Sequence, residues 1–234
     1  MLKLNDLTVT YPDRTNAING IDLAIGEGEN VALIGENGAG KTSLLLAIVG
    51  ILEPAGGTVE IDGIQLDKKT VSEIRKKAGL VFQNPDDQLF MPFVFDDIAF
   101  GCRNFGLLED AVKKRVEETL DQLRIGHLRS RSSLKLSEGE KRMAAIATVL
   151  AMEPSVLMFD EPTAFLDPKA RRLLIEVLKK LHHTKIVATH DMTFAAEICN
   201  RMIILKNGRI VADGSSALLH DRELMHNCGL EAIA

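Results

Sequence analysis

The chain has 234 residues, 46% of them hydrophobic, with no Trp and a single Tyr, so its length supports a sizeable core and that core must be aliphatic. A formal charge of -5 and the lack of any dense Lys/Arg block argue against a non-specific nucleic-acid binder, and no nucleic-acid partner is expected. Three scattered cysteines, Cys102, Cys199 and Cys228, have no metal-ligand spacing and read as reduced thiols of a cytosolic protein.

The opening MLKLNDLTVTY alternates apolar and polar residues without the apolar stretch of a signal peptide. Residues 2–11 and 21–25 read as half-exposed strands, with a turn at GEGE, 26–29. A short buried strand at 31–34 runs into GENGAGKT, and TSLLLAIVG reads as a buried helix ending at Gly50. Residues 58–61, Asp62-Gly63 and 64–66 carry a hairpin signal, and 79–82 is another short apolar strand. From Asn84 to about Met152 the pattern turns helical, most amphipathic at 109–123. Beyond Pro154, buried strands and helices alternate: SVLMF, 168–182, KIVAT, 192–200. RMIILKNGRIVADG reads as two strands around Asn207-Gly208. The expectation is an α/β fold: a mixed-sheet core with an N-terminal antiparallel β region (1–83 and 153–214), a helical insertion (84–152) and a short helical tail (215–234) with no long regulatory domain after it. No apolar run approaches the ~20 residues of a membrane span, so any membrane role is expected to be peripheral.

Gly35, Gly40, Lys41 and Thr42 satisfy G-x-x-x-x-G-K-[ST] between a predicted strand and a predicted helix, the setting this motif requires. The loop through Glu36, Asn37, Gly38 and Ala39 to Ser43 is expected to wrap phosphates with backbone N–H groups. Lys41 would neutralise the β- and γ-phosphates, and Thr42 would offer a hydroxyl to Mg²⁺. Downstream, an apolar strand ends in Asp160-Glu161. An acid at the C-terminal end of a buried strand is where an α/β sheet holds Mg²⁺, which suits Asp160, and Glu161 suits a general base for the attacking water. A further stretch, LKLSEGEKRM at 134–143, poses a question of its own. Ser137 and Glu140 form a capping-box pattern, which explains it as a helix start and nothing more. Serine and glycine at a helix start also bring backbone N–H groups against phosphate.

These motifs, in this order, resemble the ATP-binding subunit of ABC transporters over nearly the whole chain. The resemblance implies a P-loop NTPase ABC cassette that binds ATP with Mg²⁺ and hydrolyses the nucleotide. On it, Tyr11 stands where an aromatic stacks on adenine, although an edge-strand Tyr needs no ligand. Gln83 resembles the glutamine that touches Mg²⁺ and the attacking water, and His190, in VATHD, the histidine that bonds the γ-phosphate. LSEGE is similar to the LSGGQ motif, so Ser137, Gly139 and Glu140 would face ATP held by another subunit, and Asp167, in TAFLD, would couple the two ATP sites. Three residues depart from the pattern: Glu138, tolerable if its side chain turns to solvent, Glu140 in place of Gln, and Phe165, where a small residue is common.

QNPDDQLF at 83–90 and VFDDIAFG at 94–101 resemble the energy-coupling-factor subfamily, and Met91-Pro92 and LSEGEKR are most similar to its cobalt/nickel branch. That implies a second ATPase subunit (identical or a close paralogue), a transmembrane coupling protein and a substrate-binding membrane protein, with this chain peripheral on the cytoplasmic face of the cell membrane. The same role in a vitamin importer is the alternative. A soluble ABC ATPase acting on DNA or the ribosome, and a non-hydrolysing subunit, are the rivals. His182, His183, His220 and His226 are explained by exposed polar positions as well as by a metal.

Overall fold

The computed structural model describes residues 1–233; Ala234, the end of the expected tail, lies outside them. The alternation near the N-terminus becomes an antiparallel pair, β1 (Leu2–Thr10) and β2 (Asn16–Ile25). β2 begins earlier than the pattern predicts. Register shifts around Asp6, which has φ 45°, break the simple alternation across its first half. β3 (Asn30–Ile34) leads through the glycine loop into α1 (Lys41–Ile48). β4 (Gly56–Ile61) and β5 (Ile64–Gln65) are the hairpin around Asp62-Gly63 and complete a four-stranded antiparallel sheet in the order β2-β1-β4-β5. The helix α2 (Val71–Lys77) has no counterpart in the sequence reading, because it buries only Ile74 and so leaves no periodic apolar stripe.

After β6 (Ala78–Val81) come three helices, α3 (Val94–Asn104), α4 (Glu109–Leu123) and α5 (Glu138–Leu150). The chain then alternates through β7 (Val156–Asp160), α6 (Pro168–Lys180), β8 (Thr184–Thr189), α7 (Met192–Ile198) and the hairpin β9 (Arg201–Lys206) and β10 (Arg209–Ser215), before a short helix α8 (Arg222–Asn227). The six-stranded sheet has the order β10-β9-β3-β8-β7-β6, parallel from β9 to β6 and closed by antiparallel β10, so the mixed sheet and the separate antiparallel region are both present.

Period-two geometry divides the core. Leu33, Met158, Ile186 and Ile203 face α1 and the antiparallel sheet, while Ile34, Leu157, Phe159 and Val187 face the layer containing α5, α6 and α7. Because both faces are covered, these strands read as continuous apolar runs, and each fully buried Leu, Ile or Phe contributes roughly 1.5–3 kcal/mol. The parallel strands β3, β6, β7 and β8 end at one edge of the sheet, so four loops emerge side by side there, where ligands bind in such sheets. Among the described residues, no helix is long and apolar enough to cross a membrane.

Gly57 tests how tightly β1 and β4 of the small sheet meet. It has φ 77°, and an added Cβ would lie 2.3 Å from the Asp6 carbonyl oxygen. Gly63, at φ 81°, faces open space. Urea denaturation should show Gly57→Ala losing about 3 kcal/mol or more, against about 1 kcal/mol for Gly63→Ala, which carries backbone strain alone. Equal losses would contradict the close approach.

Candidate functional site

Gly40 begins α1 at φ 107°, and a Cβ there would sit 2.6 Å from the Ala17 carbonyl oxygen, so only glycine lets the loop lie against β2. The next residue, Lys41, is buried. Its ammonium donates to the carbonyls of Gly35 (2.7 Å) and Glu36 (3.2 Å) and lies 3.7 Å from Glu161 Oε1. Thr42 donates its hydroxyl to Asp160 Oδ2 at 2.8 Å. The other oxygen of that carboxylate, Oδ1, is buried without a partner. Burial pushes the Asp160 carboxyl above its ordinary pKa; the Thr42 bond opposes the shift and neighbouring Glu161 adds to it.

Glu161 has φ 44°, a left-handed backbone that costs about 1–3 kcal/mol in a non-glycine residue and is tolerated where surrounding structure fixes it. Its N–H donates to the Ala188 carbonyl at 2.8 Å. Its side chain is nearly buried, with Oε2 lying 2.9 Å from His190 Nδ1 and accepting the His190 backbone N–H at 3.3 Å. Asp160 thus ends one strand with Glu161 just beyond it, His190 follows the next, and the two chain segments meet through the Glu161 carboxylate.

A cleft of about 470 Å³ opens above these groups, within the range of small-molecule sites. Tyr11, Asn37, Gly38, Gly40, Lys41, Thr42, Ser43, Gln83, Glu161 and His190 line it. The Tyr11 hydroxyl and Ser43 Oγ share a 2.9 Å hydrogen bond, which fixes the ring at the rim. Thr15, Asn16 and Ala17 also line the cleft and were not singled out from sequence. The tight turn in which Tyr11 N–H donates to the Thr15 carbonyl brings them there. Gly35, Glu36 and Ala39 are not part of the lining. Ala39 is buried, Gly35 contributes its carbonyl to Lys41, and Glu36 borders a second cavity beside His190 and Gly229.

Ser137, Gly139, Glu140 and Asp167 lie apart from this cleft and line a separate depression of about 630 Å³. Ser137 caps α5: the Glu140 N–H donates to Ser137 Oγ at 3.4 Å, and Glu140 Oε2 accepts from the Ser137 N–H at 2.8 Å and hydroxyl at 2.9 Å. These bonds, the backbone one foremost, hold the Glu140 carboxyl below its ordinary pKa. An added Cβ at Gly139 would lie 2.8 Å from Ala170 Cβ, so this glycine also serves the packing of α5 on α6. Glu138 is half exposed and rests 3.3 Å from Lys141. Asp167 caps α6 by accepting the N–H groups of Lys169 and Ala170, each at 2.8 Å. Phe165 is 78% exposed at φ 63°. From α6, Arg171 reaches Asp191 at 3.1 Å, next to His190.

Among the described residues, no three His, Cys, Asp or Glu side chains are grouped to hold a metal ion. Asp160 Oδ1 and the Thr42 hydroxyl nevertheless fit Mg²⁺, which is commonly bound by few protein oxygens together with phosphate and water.

The sequence profile of the ABC transporter family matches residues 18–164. The energy-coupling factor transporter ATP-binding protein EcfA of Methanothermobacter thermautotrophicus is 43% identical over 236 residues, covering 98% of this chain and 76% of its own length. The structure of cbiO1 from Clostridium perfringens, part of the ABC transporter complex cbiONQ, superposes with a TM-score of 0.83 at 39% identity over 97% of this chain and 93% of that one. A dimeric ATP-binding cassette, MJ0796, in a post-hydrolysis state with ADP and Pi, gives 0.82 at 30% identity over 92% of this chain and 99% of its own.

The Asp160 geometry makes a stability prediction. Burial raises its native pKa above that of the unfolded chain, so the carboxyl's favourable contribution is lost as pH rises through the native pKa, and at pH 7 the charge is a net cost. Asp160→Asn keeps an acceptor for Thr42 and removes that charge. Calorimetry without nucleotide or Mg²⁺ should show it melting at a higher temperature than the parent chain. A lower melting temperature would contradict the reading of Asp160 as a strained charge.

Proposed function

The chain belongs to the ABC transporter ATP-binding family, and on that premise we propose that it is the ATPase subunit of an energy-coupling-factor importer whose cargo is cobalt or nickel. As a member of this family it is an ATP-hydrolysing enzyme. The observation that carries the reading is the division of the motif residues between two surfaces. Lys41, Thr42, Gln83, Glu161 and His190 share one cleft, while Ser137, Gly139 and Asp167 share another depression. Neither is a whole site, and two chains related by a two-fold axis make two whole sites. Similarity to EcfA supports the subfamily, the stretches Met91-Pro92 and LSEGEKR support the metal branch, and the MJ0796 dimer supports pairing.

In this mechanism Tyr11 stacks on adenine, and the loop residues that line the cleft, Asn37, Gly38 and Gly40 to Ser43, donate N–H groups to the phosphates. Lys41 exchanges its carbonyl partners for β- and γ-phosphate oxygens. Glu161, oriented by Lys41 and His190, accepts a proton from the attacking water, an effect worth about 10²–10⁴-fold. His190 holds the γ-phosphate. Thr42, Asp160 and Gln83 would hold Mg²⁺, which supplies positive charge against the phosphate oxygens. From the second subunit, Ser137 and Gly139 close over the γ-phosphate and Asp167 links the two sites. Closure is favoured because ATP binds the closed pair better than the open one, and hydrolysis removes the γ-phosphate contacts that hold it closed.

An apolar groove of about 410 Å³ beside α3 supports membrane coupling. Ile51, Phe90 and Phe100 are exposed there, and the two Phe rings meet edge to face at 4.9 Å. Such a surface suits a helix of the transmembrane coupling protein, at the cytoplasmic face of the membrane.

The test is purification of the membrane complex through a tagged copy of this chain, followed by uptake in vesicles. ATP-dependent accumulation of Co²⁺ or Ni²⁺ is expected. Uptake of a vitamin with neither metal would overturn the cargo, and no ATP-dependent uptake would overturn the importer. For the isolated chain, Lys41→Ala should weaken Mg-ATP binding about a hundredfold or more by calorimetry, since the loop keeps its N–H donors but loses its central charge. Near-normal affinity would contradict the assignment of the phosphate loop.

A further inference from the structure

Two successive residues of α5, Lys141 and Arg142, reach back to the segment that carries Gln83. Arg142 is 1% exposed. Its Nη1 donates to the Phe82 carbonyl and its Nη2 to the Gln83 carbonyl, each at 2.7 Å, while its Nε finds no partner. Burial lowers the guanidinium pKa to about 10, with Glu138 and Asp160 opposing the shift. Lys141 Nζ lies 2.8 Å from Asp86 Oδ1 and 3.0 Å from Oδ2, within the 3₁₀ turn Pro85–Asp87, and 3.3 Å from Glu138. Gln88 finishes the lacing. Its Oε1 accepts the Phe82 N–H at 3.1 Å, and its Nε2 donates to the Ala145 carbonyl at 2.8 Å and to Thr148 Oγ1 at 2.7 Å.

A guanidinium enclosed in protein and bonded to two neutral carbonyls is a costly way to pack a helix, and an apolar side chain of similar volume would do that more cheaply. What the charge adds is direction: two charge-assisted bonds fix the point where β6 ends and Gln83 begins. We infer that Lys141 and Arg142 are positioning residues that latch the Gln83 segment to α5, so that Gln83 in one ATP site and Ser137 at the wall of the other move as one body. The latch explains the departure at Glu138. That carboxylate rests on Lys141, beside the Asp86 contact, rather than lying free before a phosphate. The inference rests on the reading of Gln83 and Ser137 as opposite walls of composite sites. It gives each subunit a direct mechanical link between the nucleotide it holds and the nucleotide it covers.

A double-mutant cycle on Lys141 and Asp86 tests it, because Asp86 is exposed and Lys141→Met keeps the length of the largely buried lysine stem. Lys141→Met and Asp86→Asn should each leave the Kd of the chain for Mg-ATP within about twofold while lowering kcat about tenfold, and the double variant should be no worse than either single one. Arg142→Lys keeps the charge but cannot span both carbonyls, and should lower kcat with the same Kd. Hydrogen exchange of residues 83–88 in nucleotide-free protein reads the latch directly: exchange should accelerate about tenfold in Lys141→Met. Unchanged exchange, additive kinetic losses, or a loss of affinity equal to the loss of kcat would overturn the latch. A parent chain that binds no ATP would instead overturn the functional reading, with the exchange result still deciding the latch.

Discussion

Asp160 ends a strand in which every residue is buried, and its carboxylate has one hydrogen bond, from Thr42, and one oxygen with none. A charge in such a place is tolerated only where something compensates it, and the neighbouring geometry supplies compensation from one side. The start of α1 presents unbonded N–H groups and the positive end of a helix dipole, and Lys41 brings a cation to within 3.7 Å of the adjoining Glu161. The sheet makes this juxtaposition possible: β7 and β3 both lie in its centre, flanking β8, so their loops open on the same edge. Site and fold are therefore one arrangement, in which a carboxylate with one unpaired oxygen and a lysine held by two loop carbonyls meet at the same edge of the sheet.

The second surface follows a different principle. The helices α5 and α6 begin with caps supplied by their own residues, Ser137 with Glu140 and Asp167 by itself. These caps stabilise the helices without any ligand, and so the apparent flaw in LSEGE is a working helix start. Glutamate in place of glutamine fills the capping box and adds a 2.9 Å ion pair with Arg131. Ser137 keeps a long 3.4 Å bond to the Glu140 N–H, weaker than an ideal one, and this leaves the other first-turn donors of α5 without a side-chain cap.

Much of this was legible in the residues. The glycine loop, the acid pair after an apolar strand and the Asn207-Gly208 hairpin each carry local chemistry that fixes their conformation, and the structure has a strand-loop-helix, a buried β7 and the β9-β10 turn at those places. The amphipathic stripe of α4 fell on Glu109–Leu123 because five inward residues recur at helical spacing. What was not legible depends on distant partners. The early part of β2 pairs across register shifts, α2 buries one residue, and Arg142 looks like any surface arginine until the Phe82 and Gln83 carbonyls are brought to it across sixty residues of chain. Thr15, Asn16 and Ala17 reach the cleft through a turn whose geometry has no side-chain signature.

The central claim is that one chain holds two unlike halves of an ATP site and that ATP joins them. Light scattering of Glu161→Gln with saturating Mg-ATP tests this most directly, because the amide preserves the shape of Glu161 but cannot take a proton, so the closed state accumulates. The account predicts twice the 25.6 kDa mass of the chain with ATP and a return to that mass when nucleotide is removed. A variant that binds ATP with normal affinity yet stays at the single-chain mass at every ATP concentration would contradict it.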